Sequence, residues 1–324
     1  MRGIWILRFA ARRILYALPL LLGVVVVNFL LIQLAPGDPV TVLVGDYPVP
    51  PEYVAQIREQ FGLDKPVLQQ LWIYIEQLLH GNLGMSYSHH QTVASLILDR
   101  VGATAKLTIT ALVLATIVGV LLGVVGAKFR GRALDTTTQT VSLVGFSVPE
   151  FWLGQLLILL FAVNLGWLPP SGAFSIREGD TGFFATLNYL VLPAVALSFR
   201  YVAIIARMTR ANLLEVAGAD FVTASRSRGV TESGILWRHT LRNAAPPVLT
   251  VVGYNFGYIL AGSVTIETVF SWPGIGRLMY ESIGARDYPV LVGILLLISV
   301  TIVIANLITD IVHAIIDPRV GQGS

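Results

Sequence analysis

Asp220-Phe-Val-Thr-Ala-Ser-Arg-Ser-Arg-Gly229, followed closely by Trp237-Arg-His-Thr-Leu-Arg242, lies between two apolar runs of membrane length, Leu187 to Met208 and Ala244 to Ile266. A basic segment bracketed in this way is a loop on one face of a bilayer, and its own pattern is helical. Over Glu215 to Arg228, Phe221, Ala224 or Ser225, and Arg228 share one face, and Gly229 suits the left-handed position that closes a helix. An amphipathic helix laid across the mouth of a bundle is able to seat in a groove of another protein and pass a push to the spans on either side. The plainer reading is a basic surface helix held by anionic lipid.

The composition agrees with a membrane setting. Of the 324 residues, 55% are hydrophobic and only 13% charged, whereas a soluble domain carries about a quarter charged residues. The mean hydropathy is +0.73. A net charge of +3 is modest, and its basic residues gather in a few segments, which speaks for membrane orientation and against nucleic-acid binding. With no cysteine, disulfides, thiolate metal sites and thiol nucleophiles are excluded.

Crossing about 30 Å of hydrocarbon takes roughly 20 apolar residues. Uncharged runs of that length occur at Ile14 to Leu34, Leu107 to Ala127, Ala244 to Ile266 and Tyr288 to Thr309; Thr140 to Leu165 adds a run holding Glu150, and Leu187 to Met208 one holding Arg200. Because backbone in lipid must satisfy its own hydrogen bonds and nothing alternates like barrel strands, the expectation is an all-α polytopic protein of six transmembrane helices. The first run exceeds an ordinary signal-peptide core and is read as a retained helix.

With the N-terminus inside, the tail, Lys128 to Arg132, Arg207 to Arg242 and the end after His313 hold 14 of the 22 basic residues, so both termini are expected in the cytoplasm. Three regions result: residues 1–34 as tail and first span, 35–104 as an external helical insertion, and 105–324 as the core with spans two to six. Within the insertion, Pro51 to Phe61 and Pro66 to His80 have helical periodicity with proline in the first turn.

The search for chemistry is mostly negative. None of Lys65, Lys106 and Lys128 stands in a phosphate-binding Gly-rich loop, so any use of ATP belongs to a partner. His89 and His90 form the one close histidine pair, and adjacent residues point apart. Gly262-Ser263 lacks the nucleophile-elbow pattern and a base, leaving small-residue helix packing as the better account. No catalytic, cofactor or metal site is expected in this chain. Glu150 and Arg200 remain, since an ionisable group at the centre of a span costs roughly 2.5 to 3.5 kcal/mol. Both are candidates to line a polar path; alternatively Arg200 snorkels and Glu150 accepts a neighbouring helix's donors. Asp310, with Asn306 and His313 on one face of the last helix, reads as an anchoring network near the cytoplasmic surface.

Thr223-Ala-Ser-Arg-Ser-Arg-Gly229 resembles the E-A-A-x-x-x-G signature of ABC importer membrane subunits, with Thr in place of Glu. Around it, Ala206 to Val216, Arg238 to Pro246 and Glu267-Thr-Val-Phe-Ser-Trp-Pro-Gly-Ile-Gly-Arg277 are similar to the dipeptide, oligopeptide and nickel permease family. The likeness continues in Leu34-Ala-Pro-Gly-Asp-Pro39, Phe61 to Pro66, Gly81 to Ser86, Ser147 to Trp152 and Asp317-Pro-Arg319, and so spans nearly the whole chain. The long external insertion resembles the first of the two permease subunits in such systems.

That resemblance implies a type I ABC importer permease fold in a bacterial or archaeal plasma (inner) membrane. The expected partners are a sister permease in a heterodimer, two ABC ATPases that bind ATP and Mg, an external solute-binding protein, and a peptide, with no nucleic acid. Glutathione, nickel chelate and other small solutes travel through the same frame. Phe221, Ala224, Arg226, Arg228 and Gly229 are then the expected ATPase-coupling contacts, and Arg207 and Arg210 anchor the loop. Glu267, Trp272 and Arg277 become candidates for an external gate or a binding-protein contact. An ion-coupled secondary transporter, which would show internal repeats, and an intramembrane hydrolase are the alternatives.

Overall fold

The computed structural model describes residues 2–34, 50, 52, 64–173 and 183–316. The proposed helix Pro51 to Phe61 and the motifs at 35–39 and 317–319 lie outside or almost outside them. Ten helices carry the described part: α1 Arg2–Leu34, α2 Val67–Leu79, α3 Val93–Lys128, α4 Ala133–Ser147, α5 Glu150–Leu157, α6 Phe183–Ala217, α7 Asp220–Ser227, α8 Leu241–Val269, α9 Ile275–Ala285 and α10 Tyr288–Ile316. A π-helical stretch Ile158–Asn164 extends α5; a short turn Glu232–Gly234 and a second π-helical stretch, Ile235–Thr240, lead into α8. Among the described residues the architecture is helical, with a single isolated bridge between Met85 and Thr92.

Among the described residues, α3, α6 and α10 are each long and apolar enough to cross a bilayer, and two bent helix pairs would add crossings if each is one span. At about 1.5 Å per residue the 36 residues of α3 reach roughly 54 Å, well beyond the hydrocarbon. Its first turns, from Val93, therefore belong to the same rod as the second span. α2 begins directly after Pro66, whose fixed φ of −55° starts a helix without needing a backbone donor.

The segment expected as the third crossing is two helices bent by 103° at Pro149. Proline at 149 supplies no N–H and pushes the residue before it out of the helical region; Val148 accordingly has ψ 127° and Pro149 ψ 132°. Each half is 15 residues, roughly 22 Å and short of a full crossing.

α6 is the centre of the bundle: 67% of its apolar window is buried, against 22% in α10. Its tightest partner is α3, and the core between them and α8 is built from Leu107, Ala111, Ala115, Leu197, Ile205, Ile259 and Ile266. The close approach depends on Gly119-Val-Leu-Leu-Gly123. A Cβ on Gly123 would stand 2.5 Å from Thr209 Cβ and 2.7 Å from the Ala206 carbonyl oxygen. Small residues four apart let helix backbones meet where lipid supplies no hydrophobic drive. Gly123→Ala is therefore expected to cost about 2 kcal/mol, read as a lower unfolding temperature of the purified protein. Gly102→Ala, where a Cβ meets nothing within 4 Å, serves as the control and is expected to leave the unfolding temperature unchanged or slightly raised.

A second core of Val93, Leu96, Ile97, Ile275, Leu278, Val290 and Ile294 joins α3, α9 and α10. α1 packs on α10, and Arg13 pairs with Asp310 at 2.9 Å. The anchoring partner of Asp310 is thus on another helix; the His313 side chain lies outside the described residues. The outer faces of α1 and α3 expose Leu15, Leu18, Leu20, Ile109, Val113 and Ile117, as a surface meeting acyl chains does.

Candidate functional site

The loop between α6 and α8 is where sequence and geometry meet most directly. The helix read from Glu215 to Arg228 is interrupted. Gly218 and Ala219 form a turn, their N–H groups donating to Glu215 and Val216 carbonyls at 3.2 and 3.1 Å, and α7 starts afresh at Asp220, whose carboxylate suits the positive end of the helix. At the other end Gly229 has φ +77°, its N–H donates to the Arg226 carbonyl at 3.0 Å, and Val230 N–H donates to Ser225 at 3.2 Å. This pair of bonds is a Schellman closure, which an L side chain at 229 would strain.

α7 is held down by Val222, 1% exposed, beside a cavity lined by Ala127, Leu213, Leu236 and Trp237. Phe221, Ala224, Arg228 and Gly229 are all exposed. Arg226 is also exposed, yet it forms a two-point ion pair with Glu232 at 2.6 and 3.1 Å, which holds the Glu232 carboxyl below its ordinary range. Arg226 thereby ties α7 to the next turn, while Phe221 and Arg228 form the open face. Val222 was not singled out in the sequence; as the aliphatic residue between Phe221 and a polar run, it was the available signal.

Arg207 and Arg210 lie on α6 one turn apart and have different partners. Arg210 donates to both oxygens of Asp135 at 2.7 and 2.8 Å, and Asp135 also accepts from Gly131 N–H and the Gln139 amide at 2.9 Å each. This buried carboxylate ties the turn between α3 and α4 to the helix that leads into α7. Arg207 stands with its guanidinium 5.7 Å from the Phe146 ring centroid, and Arg200, two turns earlier, at 5.2 Å from the same ring.

At the break between α4 and α5 a cavity of about 530 Å³ opens, lined by Glu150, Arg200, Tyr201, Tyr254, Asn255, Tyr258 and Thr265 among others. The structure brings Glu150 and Arg200 to one cavity without joining them in an ion pair within 4 Å. Tyr254 and Tyr258, one turn apart on α8, share a hydroxyl hydrogen bond of 2.8 Å and remain half exposed.

The opposite end of the bundle gathers the remaining candidates. Glu267 is fully buried and accepts from the Thr104 hydroxyl at 2.7 Å and from Arg277 N–H at 3.1 Å. Trp272 is 1% exposed and donates its indole N–H to the Ala103 carbonyl at 2.9 Å. Arg277 donates to Glu281 at 2.8 Å and to the Ser271 carbonyl at 3.0 Å. Glu267 and Trp272 thus fasten the start of α9 to α3 from within, and the large apolar side chains that α9 exposes are Tyr280 and Ile283. Beside them Asp287 accepts from the hydroxyls of Ser86 and Ser88 at 2.5 and 2.6 Å. Burial pushes the Asp287 carboxyl up, but these bonds outweigh it and hold the group below its ordinary range. His89 contacts the same two serines. Among the described residues no three His, Cys, Asp or Glu side chains group as metal ligands.

Apolar crossing helices that flank an open cavity with Glu150 and Arg200 in its wall and turn a basic helix outward at one end describe a transport component of a membrane. The chain belongs to the family described as binding-protein-dependent transport system inner membrane component, whose model matches residues 115–322. A companion model for the N-terminal part of such membrane components matches residues 6–108. The chain is 40% identical to the di/tripeptide transport system permease protein DppB of Pseudomonas aeruginosa (strain UCBPP-PA14), over 97% of this chain and 98% of the relative. It is 36% identical to the dipeptide transport system permease protein DppB of Escherichia coli (strain K12), over 97% and 98%. In fold it is similar to a solved inward facing structure of the MetNI methionine ABC transporter, with TM-score 0.56 and 21% identity over 69% of this chain and 97% of that one.

Proposed function

We propose that this chain is the first permease subunit of an ABC importer for di- and oligopeptides, forming half of the translocation path with a sister permease. The observation that carries this reading is the near full-length kinship with di/tripeptide and dipeptide permeases, 36 to 40% identical along 97% of the chain. Six crossings with both termini in the cytoplasm accord with the distribution of basic residues, the bent α4–α5 pair counting as the third. Residues 35–104 then face the external solute-binding protein. Two cytoplasmic ATPases bind ATP and Mg and hydrolyse the nucleotide; this chain supplies no catalytic group to that reaction.

The exposed face of α7, with Phe221, Ala224, Arg228 and Gly229, is the surface that seats in the ATPase, and Arg226 with Glu232 keeps it in register. Movement of α7 reaches α6 directly through the Gly218–Ala219 turn, and the Arg210–Asp135 pair carries it to α4. At the external end, the Glu267, Trp272 and Arg277 knot positions α9 as part of the outer gate.

Reconstitution in liposomes tests the assignment. The full set of two permeases, two ATPases and binding protein is expected to concentrate radiolabelled L-alanyl-L-alanine in an ATP-dependent way. This chain alone is expected to concentrate none. Concentrative uptake by the single polypeptide would overturn the reading.

A further inference from the structure

The cavity at the α4–α5 break holds two ionisable groups of opposite sign, near enough to feel each other's field but joined by no ion pair or hydrogen bond. Glu150 is half-buried, and no hydrogen bond or ion pair engages its carboxylate among the described residues. The Arg200 guanidinium lies over the Phe146 ring and makes no hydrogen bond among the described residues, so its N–H donors, which lie in the plane of the group, are open to an acceptor. Ionisable groups at membrane depth almost always face the bundle interior or a water-filled cavity. A carboxylate and a guanidinium on one wall, with no hydrogen bond or ion pair between them, suit a visitor carrying both complementary charges. The volume, about 530 Å³, is in the range of small-molecule sites and larger than a lone cation needs. Tyr254 and Tyr258 add ring faces and a hydroxyl pair for a chain lying between the charges.

We infer that this cavity is a two-point transit site for short zwitterionic peptides, in which Arg200 receives the terminal carboxylate and Glu150 the terminal ammonium. The inference rests on the peptide importer reading above and adds a site within the membrane part that grips the backbone termini, whatever the side chains. A guanidinium takes a carboxylate through two parallel hydrogen bonds, and a carboxylate takes an ammonium through a charge-assisted one. Both charges lie beside the Pro149 elbow and on the central helix, so a bound peptide would bridge α5 and α6.

The test is direct binding to the assembled permease–ATPase complex in nanodiscs, without the external binding protein, using L-alanyl-L-alanine, its N-acetyl derivative and its C-terminal amide. Loss of either peptide charge is expected to weaken binding about tenfold or more. Glu150→Gln is expected to weaken the parent dipeptide as much as acetylation does, and to leave the N-acetyl peptide unaffected. Arg200→Gln is expected to show the same relation with the amide. Penalties that multiply, variants that bind the dipeptide within about twofold of the parent complex, or no dipeptide binding by the parent complex would each overturn the site. Should a variant fail to assemble, the parent complex still decides, because equal binding of all three peptides refutes it. Failure of the transit site alone leaves ATP-dependent dipeptide uptake by the full importer intact; failure of the importer reading abolishes that uptake in the unmodified protein.

Discussion

Gly229→Asp and Arg228→Glu are each expected to leave the permease folded and inserted while dropping peptide-stimulated ATP hydrolysis by the assembled importer to its unstimulated rate. Both positions are exposed on the closing turn of α7. A Cβ at 229 meets no heavy atom within 4 Å, so the cost to the fold is the left-handed backbone alone, roughly 1 to 2 kcal/mol for an L residue and at its mildest for Asp or Asn. Arg228 has no carboxylate within ion-pair reach among the described residues, so its reversal disturbs no internal bond. What both changes alter is the charge presented to a docked partner, where a like-charge contact costs several kcal/mol. Gly229→Asn separates the two effects: it keeps the backbone demand without the charge and should retain most of the stimulation. Equal stimulation in the Gly229→Asp, Arg228→Glu and unmodified importers would show that α7 does not carry the coupling.

Trp272→Ala is expected to destabilise the protein by about 4 kcal/mol, within the range for removing a buried aromatic side chain. The indole is enclosed by the core between α3 and α8, and its N–H is satisfied by the Ala103 carbonyl. Truncation leaves a void and removes the second hydrogen bond accepted by a carbonyl that keeps its place in the α3 ladder. The measurement is the unfolding temperature of the purified permease in detergent, together with the yield of inserted protein. Trp272→Phe, which fills most of the volume and loses the hydrogen bond, should recover the larger part. If Trp272→Ala unfolds at the unmodified temperature yet abolishes uptake, the residue acts at the outer gate through contacts made only in the assembled importer.

These two positions illustrate what a sequence discloses. Gly229 was legible because the φ that closes a helix is a local demand, expressed by one residue type at one place in a helical pattern. The same holds for the start of α2 after Pro66 and for the apolar lengths that became α3, α6, α8 and α10. The buried face of α7 was not legible. The face of Phe221, Ala224 and Arg228 is periodic in sequence, but which face turns inward depends on the pocket offered by Leu213 and Leu236 on the flanking helical segments and by Ala127 at the end of α3.

The ion pair of Arg210 with Asp135 joins positions 75 apart, and no periodicity in one helix announces a partner in another. Glu267 and Trp272, conspicuous as polar and aromatic residues in a loop, are interior because α3 supplies Thr104 and Ala103 to meet them. The interruption at Pro149 was visible as a residue; its 103° angle was not, since the residue removes a constraint without dictating a direction.

That angle has a mechanical meaning. In an intact rod, bending ruptures rungs of the backbone ladder, each worth a net 0.5 to 1.5 kcal/mol or so. At Pro149 the rung is missing from the outset, since the imino nitrogen carries no hydrogen, and the two rods on either side close their own ladders: Val148 donates to Val144, and Leu153 to Pro149. Swivelling one rod against the other therefore severs nothing along the main chain, and the resistance to it is set by whatever side chains happen to be wedged in the crook.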